Sequence, residues 1–179
     1  KVLTPKPAVN MVEVEGFRFL SDPIHTMILE MTDLREFKPT ALWIQKRLRF
    51  ECTVEKIETA VERLISLGLM EELPDGTWKK THKHITSRPD LADKGVQEYH
   101  RKISLIASEQ VGNQRVEDRE FASFSMNLRK QDIALAKKLL RELSQKFIEE
   151  TEAPTGSGDE LYQFNLQFFA LSEKKEKEF

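Results

Sequence analysis

Two histidines one residue apart, His82 and His84, are the first side chains in this sequence whose types and spacing could do chemistry. On a strand both would point to one face, as metal ligands can. No third ligand stands at useful spacing, and structural zinc sites want four, so no metal is expected. His25 and His100 stand alone. His100 follows Tyr99 and reads as a hydrogen-bonded structural histidine, with a pH-sensitive pair as the alternative. The single cysteine, Cys52, cannot form an internal disulfide, which fits a reducing compartment; it reads as a small apolar filler rather than a nucleophile. Thr155-Gly156-Ser157-Gly158 lacks a lysine and precedes a strand pattern, so it is no phosphate loop. There is no Gly-x-Ser-x-Gly elbow, and the acidic residues are spread over helical faces. The expectation is a protein that is not an enzyme and holds no cofactor.

The charges that remain are basic and local. Net charge is −2, so nothing global announces nucleic acid. One cluster is Lys46-Arg47-Leu48-Arg49. A second is Lys79, Lys80, Lys83 and Arg88, four cations with no acid between them. Phosphate contact through Lys46, Arg47, Arg49, Lys79, Lys80 and Lys83 is the functional reading. A solvated hairpin surface is the bland one.

These residues need elements to hold them. Apolar residues make up 39% of the chain, including eleven Phe, enough for a real core; the 32% of charged residues mix both signs, as on a solvated globular surface. Residues 1–16, with Pro5 and Pro7, read as an arm or linker, and Phe17–Leu20 as a short strand or packed turn. Ser21-Asp22-Pro23 opens a first helix, with Ile24, Met27, Ile28 and Met31 at helical spacing. Pro39 starts a second, with Leu42, Trp43 and Leu48 as its apolar positions. Thr53 caps a third, on which Val54, Ile57, Val61 and Leu64 recur at steps of three and four, and Gly68 stops it. Leu69–Leu73 and Thr77–Thr81, joined by Pro74-Asp75-Gly76, form a hairpin. Three helices and then a hairpin is the order of a winged helix-turn-helix, assigned to residues 17–88, with Leu42, Ile57, Val61, Leu64 and Trp78 buried together.

Residues 89–172 have another grammar. A long helix over 90–111 carries Ala92, Val96, Tyr99, Ile103 and Ile106 as a heptad seam, packed within the chain or against a second copy. Ala122, Phe124, Met126 and Leu128 alternate with polar residues as one strand. A helix at 130–150 follows. Tyr162, Phe164, Leu166 and Phe168 alternate as a second strand. The fold class is therefore mostly α, α+β: a winged helix, a long helix and a β-α-β unit, with a charged tail at 173–179.

Four stretches together resemble an uncharacterised bacterial family of proposed transcriptional regulators, catalogued as a domain of unknown function. They are Glu58–Lys80, Gln97–Ile103, Arg119–Leu128 and Leu161–Ser172. Ala170 stands where many such members are expected to carry proline. The resemblance implies a separate helix-turn-helix segment upstream. The first residue, Lys1, is not Met, so the chain is read as the C-terminal portion of a longer protein. No signal peptide or transmembrane run is present, and a cytoplasmic protein is expected.

Two functions fit. One is a bacterial transcription regulator whose residues 89–172 form a homodimer and receive a signal. Its dimer interface would run through Val96, Tyr99, Ile103, Phe164 and Phe168, and its DNA contact would be weak. The other is a winged-helix module that docks signalling proteins and makes no use of DNA. The third helix sets Glu55, Glu58 and Glu62 against Lys56 and Arg63, which favours the second.

Overall fold

The computed structural model describes residues 11–13, 21–82, 84–86 and 94–173. The expected strand at 17–20, most of the N-terminal arm, Lys83, Arg88 and the tail beyond Glu173 lie outside the described residues. The chain is mixed α and β and divides into two compact units: residues 1–123 with 153–161, and residues 124–152 with 162–179.

The first unit begins with three short helices, each started by a local polar signal. The Asp22 carboxylate accepts from the Ile24 amide at 3.2 Å ahead of α1 (Ile24–Met31). Thr40 accepts from Trp43 at the start of α2 (Ala41–Arg47), and Thr53 accepts from Lys56 at the start of α3 (Val54–Ser66). Gly68 ends α3 with φ +67°, a conformation that costs other residues free energy. The Leu69 amide then returns to the Leu64 carbonyl at 2.9 Å. The chain leaves as β2 (Met70–Glu72) and comes back antiparallel as β3 (Trp78–Lys80), with Glu71 opposite Lys79. Asp75 caps the turn by accepting from Thr77, and Gly76 sits at φ +80°. Further out, β1 (Met11–Glu13) pairs in parallel with β4 (His84–Thr86).

Ile28, Ile44, Ile57 and Leu64 are fully excluded from water, with Leu29 and Met70 beside them, and Trp78 is half-buried against this cluster. Leu42 does not join it and is 52% exposed. Trp43 and Leu48, the other expected positions, pack against it half-buried, and the fully inward positions of the seven-residue helix are Ala41 and Ile44.

The long helix, α4 (Lys94–Asn113), belongs to the first unit rather than to the C-terminal half. Its seam packs inward. Val96 joins the core, Tyr99 packs on it within reach of the Thr26 hydroxyl at 3.3 Å, and Ile103 is buried. Lys102 pairs with Asp22 at 3.3 Å, and the buried Gln110 amide donates to the Arg49 carbonyl at 3.1 Å.

The second unit holds α5 (Ile133–Thr151), led in by a 3-10 turn at Lys130–Asp132. The stretches expected as strands, 122–128 and 162–168, join no sheet among the described residues. Phe147 of α5 stacks on Phe164 with ring centroids 4.8 Å apart.

Candidate nucleic-acid interface

The C-terminal end of α2 is where the sequence places its first basic cluster. Lys46, Arg47 and Arg49 are all exposed there. Lys46 lies on the outside because Ala41 and Ile44 turn the opposite side of the short helix to the core; Arg47 is on its flank and Arg49 lies two residues past its end. The Arg47 guanidinium lies over the Trp43 ring at 5.4 Å, which limits its freedom and fixes its direction. An open depression of about 860 Å³ lies next to this end, lined by Gln45, Leu48, Arg49, Phe50, Cys52 and Lys56. Burial pushes the Cys52 thiol up, away from the thiolate form a nucleophile needs.

The wing lysines divide. Lys79 is exposed on β3, across from Glu71. Lys80 points the other way, as alternation along a strand requires. Its side chain is 8% exposed and its ammonium meets Glu30 and Asp33, the latter at 2.8 Å. Burial alone would lower its pKa, but the two carboxylates reverse that and raise it. Lys80 therefore ties the hairpin to α1 and is withdrawn from any phosphate-facing set. Lys83 lies outside the described residues.

The exposed side of α3 carries Glu55, Glu58 and Glu62. Its Lys56 pairs with Asp22 at 2.8 Å, and Arg63 is exposed on the same helix.

The sequence gives no sign of what borders this surface. The loop 154–161 returns to the segment around α2 and lays backbone and carboxylate oxygens against Arg35, Arg47 and Arg49. The Gly158 carbonyl accepts from the Arg35 amide at 2.9 Å, and the Gly156 amide donates to the Asp33 carbonyl. Arg35 pairs with Asp159 at 3.2 Å, Arg47 donates to the Asp159 carbonyl at 2.6 Å, and Arg49 pairs with Glu160 at 3.3 Å. Leu161 packs on the core and anchors the loop's end. Gly156, at φ +77°, gives the turn. The Pro-Thr-Gly-Ser-Gly composition marks a loop, while its docking rests on contacts more than a hundred residues apart in sequence.

The remaining candidate residues are dispersed. His82 is half-buried and shares a hydrogen bond with Thr81 at 2.8 Å. Among the described residues no group of three metal-ligating side chains comes together. Of the five residues expected at a dimer interface, Val96 and Ile103 are buried within the first unit and Tyr99 is half-buried there. Only Phe164 and Phe168 are exposed. Among the described residues no helix is long and apolar enough to cross a membrane.

No curated protein and no solved structure matches this chain. A family described as Domain of unknown function (DUF4423) matches residues 5–171, nearly the whole length. By that match, the chain belongs to the DUF4423 family.

Proposed function

We propose that this chain is a bacterial transcription regulator. In this reading α1–α3 and the β2–β3 hairpin act as a winged helix, and DNA phosphates meet the end of α2 and the wing rather than α3. The observation that carries it is the set of exposed cations Lys46, Arg47 and Arg49 on one helix end, with Lys79 on the hairpin. Arg35, Arg47 and Arg49 already grip oxygens of the loop 157–160, so this surface has the donors an anion needs. Such contacts position a protein on DNA and carry no base information, so binding is weak and salt-sensitive.

A second reading, a protein-docking module without a DNA role, is favoured by the acidic outer side of α3, which would face phosphate in the usual groove geometry. A mobility shift on random duplex DNA at low and at high salt separates the two. A shift seen at low salt and lost at high salt supports the regulator. No shift at low salt supports the docking module.

A further inference from the structure

We infer that the second unit is one half of a shared domain, completed by a second copy of this chain that supplies the missing strands. Among the described residues of the unit none is buried. No residue of α5 is buried, and among the described residues of the unit fourteen large apolar side chains are exposed, with Phe124 at 85%, Leu143 at 53% and Phe168 at 42%. Together they expose on the order of 1,000 Å² of apolar surface, where a stable interface takes about 800 Å² from each partner. A unit of this size cannot hold itself together around one helix.

The occupant must bring strands. Residues 122–128 and 162–168 alternate apolar and polar side chains and join no sheet among the described residues. Arg119 and Arg129, on either side of the first stretch, have extended backbone. Such edges left open are sites of uncontrolled aggregation. A copy of this chain carries two stretches of that length and alternation, together with an identical amphipathic helix. Two copies give four strands and two helices, enough for a two-layer domain with a single core. A two-fold arrangement lets the same surface serve both partners. Charge does not oppose it: over residues 124–152 and 162–173, six cationic side chains face six acidic ones. The surface is the α5–strand surface and excludes the α4 seam, whose Val96 and Ile103 are already buried.

The inference stands apart from DNA binding, because its test contains no DNA. The full 179-residue chain is studied at micromolar concentration by light scattering and by hydrogen exchange with mass spectrometry. The expected mass is twice 20.8 kDa. Peptides covering 121–129 and 161–171 should be protected, and should lose protection as dilution splits the dimer. The double variant Phe124→Asp/Phe168→Asp should run as a monomer while peptides of α1–α3 keep their protection. Should that variant unfold throughout, the wild-type dilution series decides alone. A wild-type mass of 20.8 kDa, a dimer untouched by the double variant while α1–α3 stay folded, or fast exchange in both strand stretches at every concentration would overturn the inference.

Discussion

His25 is the residue whose chemistry the fold alters most plainly. It is 3% exposed; its Nδ1 donates to the Asp22 carbonyl at 3.0 Å and its Nε2 is buried with no partner. Burial, helped by the nearby Arg63 and Lys56, holds its pKa below the ordinary 6.5. The folded state therefore binds this proton less readily than the unfolded chain. The resulting stability is present above about pH 6.5 and is lost as pH falls through the depressed folded value. Thermal melts at about pH 7.5 and about pH 5.5 should show a lower Tm at the acid end, and His25→Gln should flatten the difference. An equal slope in both proteins would remove His25 as the cause. Leu64, at 0% exposure in the centre of the three-helix cluster, makes a simpler case. Replacing it by Ala should cost about 2–5 kcal/mol in denaturant unfolding, whereas Leu42→Ala, at an exposed position, should cost well under about 1 kcal/mol.

At the scale of elements, the starts of α1 and α3 and the β2–β3 hairpin were legible because each signal is local, while α2 begins two residues after the expected Pro39, where Thr40 caps it. Asp22, Thr40 and Thr53 satisfy amides two or three residues ahead, and Gly68 and Gly76 take the left-handed backbone their turns need. The inward side of α2 was not legible, since seven residues hold too few apolar positions to fix a phase and Leu42, Trp43 and Ile44 compete for it. The course of Lys80 and of the loop 154–161 was not legible either. Both depend on partners far along the chain: Glu30 and Asp33 for the one, Arg35, Arg47 and Arg49 for the other. The loop lends itself to a direct test. The Glu160 carboxylate holds Arg49, which the proposed DNA contact needs, and the Asp159 carboxylate adds negative charge beside it by pairing with Arg35. Exposed pairs of this kind are worth about 0–1 kcal/mol, so Asp159→Asn/Glu160→Gln should tighten DNA binding by up to about fivefold. Unchanged or weaker binding in a fluorescence titration would show that the loop does not compete.

For the whole molecule, the division into units follows from where apolar surface is already covered. The first unit closes its core with helix α4, which the heptad spacing could equally have assigned to an interface. The second leaves its apolar surface open. A regulator built this way would contact DNA phosphates with the closed unit and pair through the open one. The DNA role itself is tested most directly by the salt dependence of binding. A fluorescent duplex of about 20 base pairs is titrated with the chain over roughly 50–200 mM salt, with Arg47→Gln/Arg49→Gln alongside. Wild type should bind at the low-salt end with affinity falling steeply as salt rises. The double variant should bind more weakly, with a log–log slope shallower by about 2, since each phosphate left unneutralised removes about 0.9 from it. No binding at about 50 mM salt, or the same slope in both proteins, would contradict the proposed DNA interface.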